Sequence, residues 1–443
     1  MAVEAPSTFP SFSDGDVIII VSAEHQYRLH SNVLRLSSTT FDKLLNKERA
    51  SALTPKQKKE GQMVQYRLHF IEGNDGNKGY FRLQDLTSWG RNRDLMSMPN
   101  VGNGKASNAT YKHYDNVFKA FYNIRPDFDD ENFATLVGDC IGLVDVADYL
   151  DCLEKISEFV DVALMRQGPF LYRAIAAKPA VWSGLAVRIR SPSIFKEAIV
   201  HLVGMWPGMS AAEKENLNNE VLQVCERKHQ ELDVIKKIAE TKALSFYPDS
   251  VRRQGDDHPC RRSYAGDIFT WMAISLFRQW FAHAISEGMS RAAMDGGAKL
   301  YRKIAEGGDA YLDRRHADGF LQCFPMSGKS SAAFMHHLES FKQQIKPVVS
   351  DLLVSRCQRE NGNEEYPYLT CCEMKNSDIP WTTPHDKMME LNKSRKRRRE
   401  PEDEDDYAGE EGRTCSDVEA DIRGDNGEDN QDDTDHKMVE EGE

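Results

Sequence analysis

Long apolar runs are missing from this 443-residue chain. No stretch reaches the roughly 18 uncharged apolar residues that a membrane-spanning helix needs. The most apolar long segment, 268–285, is interrupted by Arg278, Gln279 and His283 and reads as a buried helix of a soluble domain. The opening residues, MAVEAPSTFP, lack the basic stretch and apolar run of a secretory signal. The acceptor match Asn108-Ala109-Thr110 is therefore expected to stay unmodified. Cysteine is sparse and odd in number, nine in all, with no Cys-x-x-Cys pair. That excludes a disulfide framework and predicts a reduced, intracellular chain, with Cys371 and Cys372 read as free thiols in a loop.

Catalytic signatures are missing too. Gly328-Lys329-Ser330 has Cys323 where a phosphate-binding loop needs its first glycine, and Gly102-x-Gly104 has Ser107 in place of the third glycine of a dinucleotide fingerprint. No Gly-x-Ser-x-Gly elbow is present. His336 and His337 fall on different helix faces, and the spacing to Glu339 is too common to carry weight. The cluster Asp256-Asp257-His258-Pro259-Cys260 reads as a solvated turn. The expectation is a non-enzyme with no cofactor and no metal.

Negative charge is present but concentrated. Residues 400–443 hold 20 acidic and 3 basic residues, which leaves 50 acids and 54 bases in residues 1–399. The net charge of -13 is a tail, not a body. Just before it, Lys393, Arg395, Lys396, Arg397, Arg398 and Arg399 place six bases in seven residues, matching a basic nuclear-import cluster. The acidic run that follows cannot bury enough apolar surface to fold. No zinc finger, basic zipper or homeodomain pattern accompanies it, so direct nucleic-acid binding is not expected.

What the chain does contain is periodicity. Val17 to Val21 is a β-branched run that predicts a buried strand, with 26–29 as its hairpin partner. Residues 31–45 shift to helical spacing. Residues 63–71 alternate Val64, Tyr66, Leu68 and Phe70 on one face, a half-buried strand, and 80–86 offers another. The polar stretches 46–62 and 87–110 read as insertions. From residue 111 the pattern is helical: 115–123, 129–149, 150–165, 170–177, 193–206, 211–244, 266–287, 291–306 and 330–356. Ser210 and Glu213 form a capping box. Leu217, Val221, Val224, Leu232, Ile235 and Ile238 keep near-heptad spacing, which is either a coiled-coil seam or a face packed on its own domain. Lys228 interrupts the stripe and favours the second reading. Phe269, Trp271, Phe277, Trp280 and Phe281 are read as core.

The opening segment, Asp16-Val-Ile-Ile-Ile-Val, a hairpin, and then Leu29-His30-x-x-Val33-Leu34-x-x-x-Ser38-x-x-Phe41, resembles the N-terminal signature of the BTB/POZ domain. Val117-Phe118 with Phe121-Tyr122, and Asp145-Val-Ala147-Asp148-Tyr149-Leu150, are similar to later elements of that family. The whole looks most like BTB proteins of filamentous fungi. The resemblance implies an α+β BTB/POZ domain over 14–165, a short mixed sheet capped by helices, behind a flexible 1–13. An all-α domain over 166–360 and a disordered tail over 361–443 follow. It implies protein partners and a homodimer formed through the BTB domain. His30 is read as a buried histidine held by a backbone hydrogen bond. Ser31 stands where repressor members carry a basic residue, and Arg49-Ala50-Ser51 lacks the hydrophobic-x-Glu triplet of cullin adaptors. The expected function is therefore a nuclear, non-enzymatic interaction protein. A substrate adaptor of a cullin ubiquitin ligase, or a transcription or chromatin regulator whose acidic tail binds basic nuclear proteins, are the alternatives.

Overall fold

The computed structural model describes residues 9–22, 25–51, 55, 63–71, 79–84, 108–251, 267–358 and 365–382. The basic cluster 393–399 and the acidic run 400–443 lie outside these, as does most of each polar insertion.

The β-branched run forms β1 (Val17–Ile20), whose alternation buries Val17 and Ile19 completely. It pairs antiparallel with β2 (Gln26–Leu29), Val17 opposite Leu29, and parallel with β3 (Tyr66–Ile71), Val17 opposite Tyr66. β4 (Tyr80–Leu83) closes the sheet antiparallel to β3, giving the order β2-β1-β3-β4. The predicted face of β3 holds: Tyr66, Leu68 and Phe70 point inward.

Between β2 and β3 the structure replaces the single predicted helix with two, α1 (Ser31–Ser37) and α2 (Thr39–Leu44). The break is Ser38. Its backbone is extended, its Oγ accepts the Phe41 N–H at 3.1 Å as an N-cap, and the same hydroxyl donates to the Leu150 carbonyl at 2.6 Å. Leu34 and Phe41, one on each side of the break, are fully buried, each stabilising the unit by about 1.5–3 kcal/mol.

The rest is helical. The sheet is covered by α3 (Asn108–Phe121), whose Val117 and Phe118 are fully buried. There follow α4 (Phe133–Tyr149), α5 (Leu153–Met165), α6 (Pro169–Ala177), α7 (Pro179–Ile189) and α8 (Pro192–Met205). Proline opens each of the last three at its first position, where the missing N–H has no intrahelical partner to lose. The periodicity reading missed α7, because Pro179 and Gly184 look like turn punctuation.

The capping box of Ser210 and Glu213 is present, but it starts only a short helix, α9 (Ala211–Glu215). A second cap, the Asn218 side chain accepting from Glu220 N–H at 2.9 Å, starts α10 (Asn219–Leu244). Leu217, Val221, Val224 and Leu232 of the heptad-like stripe are buried, while Ile235 and Ile238 are 46% and 49% exposed. Lys228 lies inside the stripe, 5% exposed, with its Nζ 2.7 Å from Asp378 Oδ2 and 2.9 Å from Glu231 Oε2.

Beyond it come α11 (Ile268–Ser286), α12 (Ala298–Glu306), α13 (Arg314–Cys323), α14 (Gly328–Ile345) and α15 (Ser350–Leu353). Residues 365–382 then run back as a strap across α8 and α10. Gly204 marks its passage over α8, since an added Cβ there would lie 2.3 Å from the Leu369 carbonyl oxygen. The protein is thus α+β, a small four-stranded N-terminal sheet followed mainly by helices. No helix among the described residues is long and apolar enough to cross a membrane.

Candidate interaction surface

One flank of α11 is core. Ala273, Ile274, Phe277, Phe281 and Ala284 are buried, and they face α14, where Phe334, Leu338, Phe341 and Ile345 are buried in turn. Phe277 and Phe341 meet with ring centroids 5.0 Å apart. Thr270 and His337 join the two helices at the polar end, Oγ1 to Nδ1, 2.9 Å apart.

The opposite flank of the same helix is also apolar, and it faces a groove. Trp271, Met272, Trp280 and His283 of α11 form one wall, and Phe320, Cys323 and Phe324 at the C-terminal end of α13 form the other, around a space of about 1210 Å³. Among the described residues, neither Asp, Glu, Lys nor Arg lines it. Ile268 and Phe324 at the rim are 53% and 54% exposed. Of the five aromatics read as core, Phe277 and Phe281 are buried, whereas Trp271 and Trp280 also line the groove. An apolar arc too wide for one packing contact is the signal that separates these roles, and it was present in the sequence of α11.

The floor is held rigidly. Trp280 stacks on Tyr311 at 4.5 Å. Leu312 beside it takes a positive φ of 46°, a conformation that costs a non-glycine residue on the order of 1 kcal/mol and must be held by its surroundings. Lys342 does that holding. It is 3% exposed and its Nζ donates to the carbonyls of Gly308 at 2.8 Å and Leu312 at 3.0 Å, tying α14 to the turn. Burial pulls the Lys342 ammonium below the ordinary lysine value. The Asp313 side chain then caps α13 by accepting from His316 N–H at 3.1 Å, and its hydrogen bond to the His316 ring holds the carboxyl below the usual range. The groove therefore has preformed walls and an aromatic base.

The N-terminal residues have different surroundings. Asp16 accepts the backbone N–H and the hydroxyl of Ser31, at 2.6 and 2.5 Å, and so caps the entry to α1. His30 is not fully buried, and its ring is not held by backbone. Nδ1 lies 3.1 Å from the Tyr122 hydroxyl and Nε2 3.0 Å from Asp14, whose carboxyl that hydrogen bond holds low. Leu34 and Phe41 are core, Val33 is partly buried, Ser38 is the cap, and Asp148 is an exposed partner of Arg188 at 3.6 Å. They do not converge on a common site.

A family model described as an FF domain, in a fungal family, matches residues 248–351. That span covers less than a quarter of the chain and contains every residue of the groove. No curated protein and no solved structure matches the chain. The match corrects the BTB/POZ reading: the family model that matches is that of the FF domain, over residues 248–351, and no BTB model matches. The reason is visible in the residues that suggested it. Asp16, Ser38, Leu34 and Phe41 serve as caps and core of a hairpin leading into helices, tasks that any small α+β unit sets and that do not specify one family.

Proposed function

We propose that this is a protein-interaction protein, and that it acts through segment 248–351, with the groove between α11 and α13 receiving an amphipathic helix of another protein. The observation that carries this is the groove itself: preformed, aromatic and, among the described residues, without ionic side chains. FF domains are in general protein-interaction modules, which supports the reading. Apolar grooves of this kind take the apolar face of a helix, with anchors at i, i+3, i+4 and i+7. The uncharged walls favour a ligand whose inserted face is aliphatic or aromatic and whose charges stay at the rim.

The test is selection from a displayed library of amphipathic helices against the full chain, followed by affinity measurement on two rim variants. Phe324→Asp and Ile268→Asp sit at exposed positions, so folding should survive. Binding should weaken by roughly 10-fold or more, as for loss of an anchor worth about 1–2 kcal/mol. Selected helices that bind both variants as tightly as the parent would refute the assignment.

A nuclear location is part of the same proposal and rests on the basic cluster at 393–399. Replacing Arg397, Arg398 and Arg399 with Ala should move a tagged chain to the cytoplasm, and an unchanged nuclear signal would count against it.

A further inference from the structure

Residues far apart in sequence meet at one buried point beneath the strap. Glu197 and His201 are four apart on α8 and so share a helix face. The loop after α15 brings Cys357 against them. His201 Nε2 lies 3.5 Å from Glu197 Oε1 and 3.7 Å from Cys357 Sγ, and the three donor atoms all fall within 4.8 Å of one another. Glu197 is 2% and His201 0% exposed. Glu197 Oε1 accepts no hydrogen bond, an unusual state for a buried carboxylate oxygen.

We propose that Glu197, His201 and Cys357 form a Zn²⁺ site. In a tetrahedral zinc centre with ordinary bond lengths the N···S and N···O edges are about 3.6 and 3.4 Å. The two observed edges match within about 0.2 Å, the tolerance for a plausible site. The donor set is N, S and O, which suits zinc and not the oxygen-seeking Ca²⁺ or Mg²⁺. One carboxylate and one thiolate neutralise the two positive charges, so the filled centre carries no net charge into a dry environment. On binding, the thiol proton leaves to solvent as the S–Zn bond forms.

The surroundings already do what outer ligands of a metal do. The Tyr368 hydroxyl, 3.0 Å from His201 Nδ1, can accept a hydrogen bond from the Nδ1–H and leave the Nε2 lone pair facing the other two donors. Gln358 N–H donates to Glu197 Oε2 at 3.0 Å and fixes the carboxylate. Tyr366 packs edge-on against the imidazole at 4.8 Å. A cavity of about 520 Å³ reaches the site on the side of Glu197 and Gln358, which lie in its wall. The metal would pin the loop after α15 to α8.

Metal-free full chain titrated with Co²⁺ should develop a tetrahedral cobalt spectrum with one sulfur-to-cobalt charge-transfer band, saturating at one equivalent and displaced by Zn²⁺. Cys357→Ser should abolish the charge-transfer band. Tyr368→Phe should weaken zinc binding by roughly 10- to 100-fold, as outer-ligand changes do. Cys371→Ser should change neither. Should Cys357→Ser fail to fold, Cys357→His keeps a ligand while removing the sulfur, and the band should again vanish. Absence of any cobalt spectrum in the parent chain, or a band that survives loss of the Cys357 sulfur, overturns the proposal. A band that instead disappears with Cys260→Ser would place the metal elsewhere and overturn it equally.

Discussion

Lys228 and Asp378 join α10 to the strap, and their separation offers a direct measure of what holds the strap down. Lys228 Nζ is 2.7 Å from Asp378 Oδ2, with side chains only 6% and 11% exposed, and Arg227 Nη2 reaches the other carboxylate oxygen at 2.9 Å. Replacing Asp378 with Asn leaves a buried ammonium whose remaining partner is Glu231, itself half exposed. Breaking a buried pair from one side costs about 3–5 kcal/mol, and the surviving Glu231 contact places this case near 3. Hydrogen exchange in residues 365–382 should therefore quicken by on the order of 10²-fold. Lys228→Met should act likewise. The double variant Lys228→Met with Asp378→Leu should recover most of the protection, because both charges leave together. Burial alone would lower the Lys228 value, but hydrogen bonds to Asp378 and Glu231 raise it above the ordinary 10.5. A group raised in the folded state stabilises fully below its unfolded value and loses that contribution as pH climbs through the folded one. Strap protection should hold to about pH 10 and fall above it. Single variants whose strap exchanges within threefold of the parent would refute this account, as would a double variant no better than the worse single.

Three further outcomes are expected. Ser38→Ala removes the cap of α2 and leaves the buried Leu150 carbonyl without its hydroxyl donor, so urea unfolding should show a loss of about 2–4 kcal/mol. Ile235→Lys and Ile238→Lys lie on the exposed half of the α10 stripe and should each shift stability by no more than about 0.5 kcal/mol, whereas Leu232→Ala in the buried half should cost about 2–5; equal effects would revive a seam running the whole helix. Burial pushes the Cys140 and Cys152 thiols up to about 12, while Cys323 is exposed at the groove. A thiol reagent at neutral pH should label Cys323 before either, with Cys140 and Cys152 reacting only on unfolding, as peptide mapping would show.

Much of the architecture follows from local patterning. The β-branched run at Val17, the alternation through Tyr66, Leu68 and Phe70, and the apolar spacing of α4, α5 and α8 each record which side faces the core, and short-range sterics make that record readable. The failures are as local as the successes. Ser38 splits a helix because its hydroxyl is claimed by Leu150, 112 residues away. α7 and α13 were missed because proline, glycine and charge within them imitate turns. The BTB resemblance failed for a related reason: it rested on capping and core positions that many folds share.

The sequence by itself determined the α+β class, the capping box at Ser210, the run of helices after residue 111 and the segregation of charge into the C-terminal residues, because each depends on neighbours within a turn or two. Tertiary structure alone decided which flank of α11 packs on α14 and which is left as a groove. It alone gave buried Lys228 its Asp378 partner and brought Cys357 to Glu197 and His201. These are meetings of residues tens to more than a hundred positions apart. Such meetings are set by how the elements pack, and no local period encodes them.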